Sequence, residues 1–296
     1  MTWWEALLLG LIEGITEYLP ISSTGHLILA AALLGLDEPE ATRDAVNAFL
    51  IIIQGGAILA VLGLYRARVV EMIRGVFGWQ GPGLKLAINL LVSFLPAAVL
   101  GVLLDATIEQ YLFHPGPVVA ALLVGGIAML LIGRWQQRTF HEADTDHVDA
   151  RSFVDIANLS WQRALIIGGL QCFAMWPGLS RSMTTIVGGM LVGMRPRQAA
   201  EYSFLLGLPT LGGACVYRSA QLIASDTNPI ATLGGWLPVI IGIVAATVSA
   251  AFAIKWLVAY LNRHGLAIFG WYRIGLAGVV LVLVWQGVLS IGPAGT

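Results

Sequence analysis

Three groups of side chains have the types and spacing to do chemistry: Glu13 with Glu17, Ser23 with His26, and Arg181 with the hydroxyls around it. Glu13 and Glu17 are four residues apart, which on a helix puts two carboxylates on one face, about 5–6 Å from each other. Two such charges in a low dielectric repel, so either one takes a proton or a cation sits between them. A hard divalent ion, Mg²⁺ or Ca²⁺, suits these ligands. Two interfacial glutamates facing water is the plainer reading, and their apolar surroundings argue against it. Ser22, Ser23, Thr24 and His26 follow Pro20 directly. Helix capping accounts for part of this run, at Ser22 and Thr24 above all. A hydroxyl at Ser23 with an imidazole three residues on is also a nucleophile–base pattern. Arg181 follows Pro177-Gly-Leu-Ser and opens a new apolar run. A helix N-terminus there would be an anion site, and the forked donors of arginine suit phosphate. Ser180, Ser182 and Thr185 add hydroxyl donors. An arginine reaching out to the membrane interface is the alternative, weakened by the depth of Arg181 within its unit. The set as a whole fits hydrolysis of a phosphate group on a membrane-embedded substrate, with cation and Arg181 neutralising charge on the transferred group.

These residues sit in two stretches too polar and too proline-broken to be plain membrane spans. The chain is 57% hydrophobic and 11% charged, against about 25% charged in a soluble domain. Apolar runs near the roughly 20 residues of a span recur along its length, which predicts an all-α polytopic membrane protein; a β-barrel would show short alternating segments. A net charge of −1 and the absence of a basic tract give no sign of nucleic acid. Cys172 and Cys215 lie in apolar runs and read as buried packing thiols. The first residues lack a Lys/Arg-rich region, so no cleaved signal peptide is expected.

The hydrophobic units run roughly 3–35, 45–65, 84–104, 116–134, 160–194, 198–222, 234–257 and 269–291. The polar stretch 136–159 divides the single integral membrane domain, 1–296, into halves at 1–135 and 160–292. The first unit of each half, 3–35 and 160–194, is too long for one span and is broken at Pro20 or Pro177. Each is expected to be a re-entrant helix–break–helix, since broken backbone is tolerated at membrane depth where it lines a protein cavity. Gly10-Leu-Ile-Glu13 aligns with Gly168-Gly-Leu-Gln171, and Pro20 and the serine pair with Pro177, Ser180 and Ser182 after small shifts in spacing. Weak repeats at corresponding positions mark inverted-topology folds and point to their sites. One re-entrant pair and three crossings per half give six transmembrane helices, an inverted second half and both termini on one side. Arg66, Arg68, Arg74, Lys85, Arg134, Arg138, Arg151, Arg163, Arg195, Arg197, Lys255, Arg263 and Arg273 then fall on one side, and only Arg43 and Arg218 on the other. The positive-inside rule makes the first side, with 136–159, cytoplasmic and puts both termini outside.

The segments Glu13-Gly-Ile-Thr-Glu17-Tyr-Leu-Pro-Ile-Ser-Ser-Thr-Gly-His26 and Pro177-Gly-Leu-Ser-Arg-Ser-Met-Thr-Thr185 resemble the two signature motifs of the undecaprenyl-diphosphate phosphatase family of the bacitracin-resistance (BacA) type. Ile53-Gln54-Gly-Gly-Ala-Ile-Leu-Ala-Val and Glu201-Tyr-Ser-Phe-Leu extend the resemblance, which covers most of the chain in order. It implies a hydrolase that converts undecaprenyl diphosphate to undecaprenyl phosphate and phosphate, recycling the lipid carrier for peptidoglycan synthesis and conferring bacitracin resistance. It implies a bacterial inner membrane location and the inverted-repeat fold, and the charge bias adds the expectation that the site opens to the periplasm. Position by position it makes Glu13 and Glu17 the acidic motif linked to the divalent cation and to catalysis, and Ser23 and His26 the catalytic hydroxyl and imidazole. It makes Arg181 and Thr185 the phosphate-binding pair, with Gln54 a further polar position. Ser22, Thr24, Ser180 and Ser182 are expected to complete the phosphate donors. Met183 departs from the family, which often has Gly there.

The residues leave the attacking group open: Ser23 helped by Glu17 or His26, or water activated by His26 or the metal. A transporter or lipid flippase built on the same broken helices is the competing function. The phosphatidic-acid-phosphatase type shares Gly25-His26 and Ser180-Arg181, but needs a His shortly after the Arg, and none follows Arg181 until His264. Gly188-Gly189 and Gly212-Gly213 allow close helix packing within one chain or between two, so a homodimer is compatible with the sequence.

Overall fold

A computed structural model describes residues 1–36, 40–78, 80–112, 115–136, 153–224 and 229–286. The expected polar connection 136–159 lies largely outside the described residues, as do the side chains of Arg43 and Arg218. Among the described residues the secondary structure is helical throughout. In chain order the α-helices are α1 (Trp3–Tyr18), α2 (Ser23–Leu33), α3 (Glu40–Leu64), α4 (Arg66–Gly78), α5 (Gly81–Leu112), α6 (Pro115–Gln136), α7 (Trp161–Gln171), α8 (Arg181–Leu191), α9 (Pro196–Ala224), α10 (Pro229–Thr232), α11 (Trp236–Leu261) and α12 (Ala267–Trp285).

Among the described residues, five segments are long and apolar enough to cross a membrane: Asp44–Leu64, Gly81–Ile108, Gly116–Trp135, Trp236–Leu261 and Ala267–Trp285. The outward surface is apolar, and a few ionisable groups lie inside with the apolar core. Glu13, Glu17 and Arg273 are buried, while Leu103, Phe252 and Trp285 face outward, as a lipid solvent requires. The sixth expected crossing, α9, has the length at 29 residues but is not among the five. Its polar positions serve the interior: Ser203 bonds Thr185, and Thr210 bonds Gln171.

The two broken units are hairpins, α1–α2 and α7–α8, and proline chemistry sets where each breaks. A residue before proline is driven to extended backbone. Leu19 has φ −72° and ψ 142° before Pro20, and Trp176 has φ −73° and ψ 109° before Pro177. The second hairpin has already tightened to a 3₁₀ turn over Cys172–Met175. The hairpins match at a constant spacing of 158 residues. Thr2 and Ser160 cap α1 and α7; Ser22 and Ser180 cap α2 and α8; Leu33 and Leu191 end them. The shifts expected from aligning the prolines are therefore absent, and Pro20 stands opposite Gly178.

The hairpins are packed crosswise. Each lies along a helix from the other half of the chain, α1 along α11 and α7 along α5. Glycine permits both approaches: a Cβ on Gly10 would strike the carbonyl of Gly242, and one on Gly168 that of Ser93. α6 pairs with α12, and α3 packs on α11. One expectation is corrected here. Arg273, counted among the cytoplasmic charges, is 0% exposed at the centre of the molecule and carries no information about sidedness.

Candidate active site

The two breaks meet. Glu17, in the last turn of α1, accepts a 2.6 Å hydrogen bond from the Ser23 hydroxyl on Oε2 and a 2.9 Å bond from Arg181 Nη2 on Oε1. Both partners lie at the first residue of a helix, Ser23 on α2 and Arg181 on α8. Two helix N-termini thus bring their unpaired N–H groups and positive dipole ends toward one place, which favours an anion. A second link reinforces the meeting: Ser182 Oγ donates to the carbonyl of Leu19, 3.0 Å away.

Arg181 is fixed on three sides. Nη1 donates to Ser203 O at 2.8 Å, Nη2 to Glu17, and the guanidinium lies 5.6 Å from the centre of the Tyr18 ring. Its Nε–H has no partner among the described residues. An arginine so held, with its Nε–H unused, is prepared to take an oxygen of an anionic group.

Glu13 sits one turn before Glu17, 1% exposed, with Oε1 unpartnered. An orphaned carboxylate oxygen in the interior is costly unless something positive meets it. No cluster of three or more His, Cys, Asp or Glu accompanies the pair among the described residues. Two carboxylates without a full protein cage fit a hard divalent cation that keeps waters and phosphate oxygens in its shell.

The remaining expected residues divide by what they touch. Ser22 and Ser180 cap Gly25 N and Met183 N. They are also the non-glycine residues with positive φ among those described, both at 74°, a conformation that costs energy and clusters at functional sites. Ser182 and Thr185 are 0% exposed, and Thr185 bonds Ser203 Oγ at 2.6 Å. Met183 packs in the core, and its N–H donates to the Ser180 cap. Thr24 is half-buried at the second residue of α2. Gln54 stands on α3 with its Oε1 3.9 Å from Cys215 Sγ.

His26 does not bond Ser23. Its Nδ1 lies 2.7 Å from Ser22 O and its Nε2 2.7 Å from Tyr272 Oη. A carbonyl only accepts, so Nδ1 carries the proton, and in the neutral ring Nε2 accepts from the tyrosine. The Tyr272 ring also stacks on the imidazole, with 10° between the planes. Sequence reasoning missed Tyr272, Arg273 and Ser203. The first two stand in the unit 269–291, far from either motif, and only a polar pair four residues into an apolar run marked them.

A family model described as "Bacitracin resistance protein BacA" matches residues 6–279. Curated relatives span nearly the whole chain. One from Sorangium cellulosum named "Undecaprenyl-diphosphatase" is 44% identical over 283 residues, covering 96% of this chain and 87% of the relative. One of the same name from Nitrosomonas europaea is 43% identical over 290 residues, covering 97% and 96%. An "Undecaprenyl-diphosphatase 2" from Rhodospirillum rubrum is 42% identical, covering 97% and 96%.

Proposed function

The chain belongs to the bacitracin resistance protein BacA family, and we infer that it hydrolyses undecaprenyl diphosphate to undecaprenyl phosphate and inorganic phosphate. The inference rests on relatives named for that diphosphatase activity along the whole chain; the carrier reading has no support among them. It is a multi-pass membrane enzyme acting on a lipid substrate. Recycling of the lipid carrier for cell-wall synthesis, and resistance to bacitracin, are consistent with the family.

The observation that carries the mechanism is the double engagement of Glu17, which holds Ser23 and Arg181 at once. Ser23 is the nucleophile and Glu17 its base. The hydroxyl already donates to Oε2, so its proton passes there as Oγ attacks the terminal phosphorus. The bond from that phosphorus to the bridging oxygen breaks, and undecaprenyl phosphate leaves. Water then hydrolyses the phosphoserine, restoring Ser23 and releasing phosphate. Both nitrogens of His26 have other partners, which favours Glu17 over His26 as the base. Arg181 and the two helix N-termini stabilise negative charge on the equatorial oxygens. Glu13 and Glu17 would hold Mg²⁺ or Ca²⁺, which supplies charge neutralisation to the phosphates when bound.

The breaks open toward the periplasm, and both termini lie there, in the bacterial inner membrane. The twelve other basic residues assigned to the cytoplasmic side, against Arg43 and Arg218 outside, support this orientation. The test uses detergent-solubilised protein and a C55 prenyl diphosphate. Phosphate release that needs Mg²⁺ or Ca²⁺ and stops with chelator is expected, and acid-quenched intermediate carries phosphate on Ser23. A protein that releases no phosphate but moves the lipid between two compartments would replace the hydrolase with a carrier. Turnover without any phosphoserine, in a variant slowed at the second step, would transfer the attack to water.

A further inference from the structure

Arg273 is a fully buried arginine with no carboxylate partner among the described residues. A buried charge costs several kcal/mol in such surroundings, so its presence at the centre of α12's contact with α6 needs a reason. Its partners supply one. Nη2 donates to Gly178 O at 2.7 Å and Ala121 O at 3.0 Å; Nη1 donates to Leu179 O at 3.2 Å and Pro20 O at 3.5 Å. Three of these four carbonyls belong to the two breaks, where irregular backbone leaves acceptors without intrahelical donors. In a membrane such acceptors must be satisfied from within the protein. A guanidinium has five N–H donors in a fixed plane, and this one serves both breaks at once.

We propose that Arg273 is the positioning residue that holds the two breaks face to face. Pro20 lies three residues before Ser23, and Leu179 two before Arg181. Fixing those carbonyls therefore fixes the distance between nucleophile and phosphate clamp. Arg273 contacts backbone and acts on the reaction only through the groups it positions. Gly125 on α6 is shaped to it, since a Cβ there would overlap the guanidinium. The neighbouring Tyr272 orients His26, so adjacent residues of α12 reach the first hairpin at His26 and Pro20 and the second at Gly178 and Leu179.

The proposal rests on the phosphatase reading, and its test separates the two. The parent protein, Arg273→Lys, Arg273→Met and Gly125→Ala are purified in detergent, and kcat and KM for phosphate release are measured beside thermal unfolding. Both Arg273 variants are expected to lose about 100-fold in kcat with KM within about threefold, the scale of a misplacement near 1 Å. Lysine keeps the charge but has no planar fork, so it fails to rescue. Gly125→Ala keeps the arginine and displaces it, losing about tenfold in kcat. Full activity in Arg273→Lys would assign the effect to charge and overturn the clamp. A folded Arg273→Met with kcat within threefold of the parent, or a change confined to KM, would overturn it as well. If the Arg273 variants do not fold, Gly125→Ala decides: parental kcat at parental stability overturns the proposal. A parent that releases no phosphate defeats the phosphatase reading instead.

Discussion

At the first residue of its second helix, the first hairpin has Ser23 and the second has Arg181. Each follows a serine cap at φ 74°, each faces the same carboxylate, and the spacing of the two backbones is constant from Thr2 to Leu33 and from Ser160 to Leu191. The backbone device is repeated while the chemistry is not. The first hairpin presents Glu13, Glu17, Ser23 and His26. In the second, the counterpart of Glu13 is Gln171, whose carbonyl takes a hydrogen bond from Thr210. Its hydroxyls serve structure: Ser182 ties it to Leu19, and Thr185 ties it to Ser203. In the proposed mechanism one copy of a strained, capped break carries the reacting groups, and the other carries Arg181 and the attachments that hold it in place.

Hydroxyl removal breaks this comparison most sharply. Ser23→Ala is expected to lose about 1000-fold or more in phosphate release, the scale of losing an activated nucleophile. Ser182→Ala, matched in chemistry but not in role, should lose less than about tenfold in rate and about 1 kcal/mol in stability, the worth of a buried hydrogen bond. Equal losses in rate would erase the distinction between the hairpins. The smallest effect belongs to the caps. Ser22→Gly and Ser180→Gly exchange a side-chain cap for relief of a positive φ, and each should shift unfolding by no more than about 0.5 kcal/mol. A large loss at one cap but not the other would show that the two backbones are not energetically alike.

Much of this was legible in sequence, and the reasons are local. Leu19-Pro20 and Trp176-Pro177 disfavour helix, and the polar residues around them set these breaks apart from Leu95-Pro96 and Leu208-Pro209, which stay inside α5 and α9. Glu17, Ser23 and Arg181 stood out because polarity in an apolar run is costly. What escaped was set by contacts across the chain. The 158-residue register was legible in Gly10–Glu13 against Gly168–Gln171 but blurred further on, because the prolines, the most visible markers, are not equivalent to each other. The expected Ser23–His26 pair fails because Ser23 turns back to Glu17 across the break, and His26 is taken by Tyr272, 246 residues away. Arg273 looked like an interfacial charge because nothing near it in sequence resembles the carbonyls it serves. The polarity of α9 likewise has its cause in Thr185 and Gln171, residues of another helix.

The central claim is that the two hairpins form one site through Glu17 and Arg181, and a double-mutant cycle on phosphate release tests it most directly. Purified Glu17→Gln, Arg181→Ala and the double variant are compared with the parent at saturating C55 diphosphate and Mg²⁺. Each single variant is expected to lose about 100-fold or more, and the double no more than about tenfold beyond the worse single, because groups that act as a unit are non-additive. Losses that multiply would contradict the account, as would near-parental turnover by folded Arg181→Ala.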